Sequence, residues 1–130
     1  MSEKKAILIV DDDTSTVFLL KYTLLNSFGD KYLYETALNA EEALDIIDDL
    51  NSSGVKVILI LSDWLMPGMK GDEFLLKVNE KHPDIKAIMI SGYADREAVE
   101  KMCSTIKLRA FISKPWEAEN LILEVNKCLN

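Results

Sequence analysis

Three acids in a row, Asp11, Asp12 and Asp13, follow directly on the apolar run Ala6 to Val10. Asp63 stands just past Val57 to Leu61, Ser91 just past Ile85 to Ile90, and Lys114 just past Leu108 to Ile112. Brought together, these carboxylates, hydroxyl and ammonium have a definite chemistry. Clustered carboxylates repel, which raises at least one pKa and costs stability unless a cation compensates. Magnesium is the fitting cation, because it takes hard oxygen ligands from one or two carboxylates and keeps its other positions for water or phosphate oxygens. Lys114 as a point charge and Ser91 as a hydrogen-bond donor suit a transferring phosphoryl group, whose charge is spread over three equatorial oxygens. The remaining acid, Asp63, can then act as nucleophile. Such a site makes an aspartyl phosphate.

That chemistry requires residues from distant parts of the chain to meet, so the elements between them decide whether it exists. Val57 to Leu61 is too short for a helix and half β-branched, and reads as a strand buried on both faces. Pro67, Gly68 and Gly71 then turn the chain into an amphipathic segment that begins at Asp72. The runs Ala6 to Val10, Ile85 to Ile90 and Leu108 to Ile112 read as strands of the same kind. Tyr32 to Thr36 is a less apolar one for a sheet edge. Helices are predicted between them. The first buries Val17, Leu20 and Leu24 and stops at Phe28-Gly29. The second is capped by Asn39 with Glu42 and buries Ala40, Ala43, Leu44 and Ile47. The third uses Phe74, Leu75 and Val78 and is closed by His82-Pro83. A fourth helix carries Ala94, Ala98 and Met102. The last, from Glu117 to Leu129, buries Leu121, Ile122, Val125 and Leu129. Strands alternating with helices make βαβ units around a parallel sheet, with right-handed crossovers placing helices on both faces. All strands then point one way, and ligands bind outside their carboxyl ends. Asp11, Asp12, Asp63, Ser91 and Lys114 all fall at that edge.

Other polar features carry no chemistry. Glu41, Glu42, Asp45, Asp48 and Asp49 form the solvated face of the second helix. His82 is the single histidine and ends a helix with no second ligand in view. Cys103 and Cys128 have no CxxC or framework spacing and read as reduced thiols on helices. Asp13 faces the start of the first helix and supports the site only indirectly.

At 130 residues the chain fits one domain, and its 48% hydrophobic and 28% charged residues are those of an ordinary globular protein. Its net charge of −7 argues against direct nucleic-acid binding, which needs a basic footprint. It suits a protein that holds a divalent cation or meets a basic partner. The segment Met1 to Lys5 leads into too few apolar residues for a signal peptide or a membrane span, which predicts a cytoplasmic protein without a membrane contact.

Asp11-Asp12, Asp63 within Ser-Asp-Trp-Leu-Met-Pro-Gly-Met-Lys-Gly, Ser91 and Lys114-Pro115 resemble the receiver domain of bacterial two-component response regulators, over essentially the whole chain. The resemblance implies an α/β, flavodoxin-like (βα)5 fold: a doubly wound parallel sheet of order 2-1-3-4-5. Residues 1–130 are expected to be a single receiver domain with no output domain in this chain, either a stand-alone regulator or an excised receiver of a longer protein. It implies that Asp63 accepts a phosphoryl group from the phosphohistidine of a sensor histidine kinase or phosphotransfer protein. Mg2+ would be held by Asp11, Asp12, Asp63 and the main-chain carbonyl of Leu65. Ser91 and Lys114 would contact the phosphoryl group, and Phe111 would be the aromatic that turns inward on activation. The signal would pass to a downstream effector protein or fused output domain through the fourth helix, fifth strand and fifth helix. A homodimer formed on phosphorylation is compatible with the resemblance. Trp64, beside the acceptor, should report magnesium and phosphorylation by its fluorescence.

Two departures bear on kinetics. Phe111 replaces the more frequent tyrosine. Leu65 and Tyr93 would flank the phosphoryl group with no acid or amide to orient a water, so slow hydrolysis is expected. One rival is a magnesium-dependent phosphohydrolase working through an aspartyl phosphate, which needs a second acid two residues after the nucleophile. Leu65 stands there. The other is a receiver-fold binding module that is never phosphorylated.

Overall fold

The computed structural model describes residues 4–92, 101 and 108–129. Each apolar run forms a strand: β1 (Lys5–Val10), β2 (Leu33–Ala37), β3 (Lys56–Ser62), β4 (Lys86–Ser91) and β5 (Leu108–Ser113). All pairings are parallel, and the order is β2-β1-β3-β4-β5. The less apolar β2 lies at the edge, where a strand is paired on one side only. β3 is longer than its apolar core at both ends, because Lys56 and Ser62 continue the ladder with β1 opposite Lys5 and Val10.

Side chains alternate across a strand, so the parallel sheet has two apolar faces and two cores. One face, carrying Leu8, Val10, Ile60 and Met89, packs against Ala40, Ala43 and Ile47 of α2 (Ala40–Ser52) and Phe74, Leu75 and Val78 of α3 (Gly71–Lys81). The other, carrying Ile7, Ile9, Leu59, Leu61, Ile88 and Ile90, packs against Val17, Leu20 and Leu24 of α1 (Thr14–Phe28) and Leu121 and Val125 of the C-terminal helix (Ala118–Leu129). Helices therefore cover both faces, as a doubly wound sheet requires.

The helix boundaries follow local chemistry. The Asn39 side chain accepts from the Glu42 amide at 2.8 Å and starts α2. Gly29 ends α1 at φ 65° and opens a short 3-10 turn, Gly29–Lys31. The five acids of the α2 outer face are all exposed, and Asp48 pairs with Lys81 of α3 at 3.0 Å.

Two details differ from the periodicity reading. The buried stripe of the C-terminal helix is Leu121, Val125 and Cys128, an i, i+4, i+7 line, with Ile122 and Leu129 only half-buried beside it. Leu44 of α2 likewise sits at the margin of its core. A thiol is small and weakly polar, so Cys128 fills a core position on that line. The fourth helix expected around Ala94 to Met102 lies, Lys101 apart, outside the described residues, as do Tyr93 and Cys103. Among the described residues no helix is long and apolar enough to cross a membrane.

Candidate functional site

The site is assembled by register. The β1–β3 ladder runs to Val10 opposite Ser62 and is extended by the Asp63 amide, which donates to the Val10 carbonyl at 3.0 Å. The residues after both strands are thereby brought level, and these are Asp11 and Asp63. On the other side of β1, the Asp11 amide donates to the Ala37 carbonyl at 3.1 Å. β4 ends at Ser91, whose carbonyl accepts from the Lys114 amide at 3.0 Å. Lys114 is the residue after β5, two strands from β3, yet its side chain reaches back across the sheet edge.

Its ammonium joins the acids. Lys114 Nζ stands 2.7 Å from Asp11 Oδ2 and 3.2 Å from Asp63 Oδ2. Both carboxylates are nearly closed off, Asp11 at 2% exposure and Asp63 at 8%. Each uses its other oxygen on a backbone amide: Asp11 Oδ1 accepts from Asp13 at 2.9 Å, and Asp63 Oδ1 accepts from Trp64 at 2.7 Å. Burial pushes the Asp11 carboxyl above its ordinary value, opposed by the hydrogen bonds from Lys114 and Asp13 and helped by the nearby Asp63 charge. The expected upward shift in the acid cluster is thus present, but water exclusion rather than mutual repulsion is its first cause. Burial would lower the Lys114 ammonium, and the two carboxylates more than reverse this, holding it above its ordinary value. Lys114 therefore stays charged.

Asp12 is exposed, and Asp11, Asp12 and Asp63 each offer one oxygen within 4.8 Å of one another. Three hard oxygen donors at a solvent-facing rim fit a small divalent cation that keeps part of its water shell. Asp13 takes no part in this group. It is the N-cap of α1, accepting from the Ser15 amide and the Thr16 hydroxyl at 3.0 Å each, and the Thr16 bond foremost holds its carboxyl below the ordinary range.

The remaining expected site residues lie around this centre. Ser91 is buried at the end of β4. The Leu65 side chain is half-exposed two residues past Asp63, with neither acid nor amide to offer. Phe111 of β5 is half-buried and meets the buried Trp64 edge-on, ring centroids 6.5 Å apart. His82 ends α3 as expected; its Nε2 is enclosed with no hydrogen-bond partner, 4.0 Å from Asp48 Oδ1, far from the acids of the rim.

Gly71 is a residue whose role the turn reading missed. It has no positive φ; among the described residues between Pro67 and Asp72 that conformation belongs to Gly68 alone. A Cβ at Gly71 would collide with the Asp63 carbonyl oxygen and stand 2.9 Å from the Trp64 Cα. Its amide donates to the Trp64 carbonyl at 2.8 Å, closing the loop after Asp63 onto itself. The glycine is needed for close approach, a requirement that spacing alone does not reveal.

The family described as the response regulator receiver domain matches residues 7–126 of this chain. The chain belongs to that family. It is a receiver domain of the kind found in two-component response regulators. Similar proteins include the hydrogenase transcriptional regulatory protein HoxA of Cupriavidus necator, 35% identical over 99% of this chain and 25% of that protein. The sensor kinase CckA of Brucella abortus is 32% identical over 99% of this chain and 13% of its own length. The chain therefore spans a quarter or less of these curated relatives. Among solved structures, a CheY-like receiver domain from Methanospirillum hungatei superposes with a TM-score of 0.81 at 33% identity, over 98% of this chain and 94% of that one.

Proposed function

We propose that this receiver accepts a phosphoryl group on Asp63 in a magnesium-dependent reaction, from the phosphohistidine of a sensor kinase or phosphotransfer protein. The observation that carries the reading is the ammonium of Lys114 held between Asp11 and Asp63, two near-buried carboxylates from different strands. Such a group is costly to assemble for structure alone, because each charge must be stripped of water. Asp11, Asp12 and Asp63, with the Leu65 carbonyl, would hold the cation. Bound Mg2+ supplies neutralisation of charge on the phosphoryl oxygens.

This chain's own groups do the rest. Trp64 N–H holds Asp63 Oδ1, leaving Oδ2 as the oxygen that attacks phosphorus. The O–P bond forms as the P–N bond to the donor imidazole breaks, and the imidazole leaves with the nitrogen lone pair and takes a proton. Lys114 already faces Oδ2 and passes its hydrogen bond to the incoming oxygens, with Ser91 as the second donor. Phe111 and Trp64, in contact behind the acceptor, relay the change toward β5 and the C-terminal helix, where an effector or linked output segment would bind. The rival phosphohydrolase lacks support, since Leu65 cannot serve as general acid or base.

Intact-mass measurement with acetyl phosphate and Mg2+ tests this. One phosphoryl mass should be gained, lost with chelator and absent in Asp63→Asn. No gain in the wild type, or an unchanged gain in Asp63→Asn, would overturn the assignment.

A further inference from the structure

Ser62 is the last residue of β3 and is 1% exposed. By strand alternation its side chain lies on the face of Ile60, within the core shared by α2 and α3. The neighbours in register, Val10 and Met89, are apolar. A hydroxyl there must find a partner or lose its water uncompensated. It donates to the carbonyl of the next residue, Asp63, at 2.9 Å.

That carbonyl belongs to the peptide unit whose other end is the Trp64 N–H. The unit is trans, since among the described residues only Lys114–Pro115 is cis. In a trans peptide the C=O and N–H point in opposite directions and rotate as one plate. Holding the carbonyl therefore aims the amide, and this amide is the one that binds Asp63 Oδ1 at 2.7 Å. On the far side of Trp64, the Gly71 amide holds the next carbonyl at 2.8 Å, while the missing Cβ at Gly71 leaves room for the Asp63 oxygen. With Oδ1 pinned, the carboxylate can rotate little, and Oδ2 stays toward Lys114.

We propose that Ser62 is a positioning residue for the acceptor: its hydroxyl fixes the Asp63–Trp64 peptide plane and, through the Trp64 amide, selects which carboxylate oxygen is presented for phosphorylation. The functional half of this inference rests on Asp63 being the phosphoacceptor; the geometric half does not.

The test compares Ser62→Thr with Ser62→Val, which have the same shape and differ in the hydroxyl, with Ser62→Ala as the variant that adds no volume. Amide exchange and the amide proton shift of Trp64, followed by NMR without phosphodonor, read the geometry directly. Ser62→Val and Ser62→Ala should speed Trp64 exchange and move its proton upfield, while Ser62→Thr keeps both near wild type. With acetyl phosphate and Mg2+, the phosphorylation rate should fall roughly two- to tenfold in Val and Ala, the range that one neutral hydrogen bond represents, and recover in Thr. Melting temperatures measured alongside separate this from general loosening, which would speed exchange throughout β3. An unchanged Trp64 amide in Ser62→Val and Ser62→Ala would overturn the proposal, as would equal phosphorylation rates of the Thr and Val variants. If the wild type gains no mass, the acceptor assignment fails, and the NMR comparison still decides whether Ser62 sets the peptide plane.

Discussion

Replacing Lys114 by methionine removes the cation from the site while keeping a side chain of similar length. Two charge-assisted hydrogen bonds are lost, at 2.7 and 3.2 Å, and Asp11 and Asp63 are left facing each other. Bonds of this class contribute ~1.5–3 kcal/mol each when well buried. The Lys114 side chain is 25% exposed, so water takes over part of its work, and the longer contact is the weaker one. A net loss of about 2–3 kcal/mol follows, or a fall in melting temperature of roughly 5–12 °C for a domain of this size. The sign with pH is also set. The folded pKa of Lys114 is raised, so its contribution is fully present below the unfolded value and is lost only as pH rises through the folded one. The gap between wild type and Lys114→Met should stay constant through neutral pH and close in the alkaline range.

Magnesium makes the prediction sharper. A cation held by Asp11, Asp12 and Asp63 would share the carboxylates of Asp11 and Asp63 with Lys114 in the wild type; in the variant it would meet no competing charge. Thermal melts with chelator and with saturating Mg2+ should therefore show a larger stabilisation in Lys114→Met than in the wild type, recovering part of what the substitution removed. A variant that melts within about 2 °C of wild type in chelator, below the shift that 1 kcal/mol produces, would refute the energetic reasoning. Equal Mg2+ increments in the two proteins would refute the idea that the cation and Lys114 share the Asp11 and Asp63 carboxylates.

Three further outcomes follow from the same geometry. Leu65→Asn puts an amide able to orient water beside Asp63, the proposed acceptor, and should shorten the phosphoryl lifetime, measured by loss of the added mass; an unchanged lifetime counts against Leu65 as its determinant. Gly71→Ala forces a methyl onto the Asp63 carbonyl and the Trp64 backbone, costing roughly 1–3 kcal/mol in denaturant melts and slowing phosphorylation as the loop shifts. A fully stable and active variant would contradict the close approach. For Asp11 the raised folded pKa means that its ionised form opposes folding; as pH falls through that value, the folded state takes up the proton first and this liability is relieved. Mg2+ affinity, read from Trp64 fluorescence, should fall with a midpoint above the ordinary 3.8, and a midpoint at or below it would refute the burial argument.

Local composition carries much of this protein. Short β-branched runs alternating with amphipathic segments imply a parallel sheet covered on both faces, and a parallel sheet places the residues after its strands at one edge. That logic reaches Asp11, Asp63, Ser91 and Lys114 without coordinates, because strand direction and alternation are properties of the backbone. The tertiary structure decided what depends on distances across the chain. It put Lys114 on both Asp11 and Asp63, separated Asp13 from the acid cluster by using it as the α1 cap, and drew Cys128 into the core in place of its larger neighbours. It also showed why Gly71 is a glycine and that Ser62, a hydroxyl in an apolar strand, bonds the Asp63 carbonyl. Periodicity reports which face a residue occupies; close approaches and the partners of buried polar atoms arise only when separate elements pack against each other.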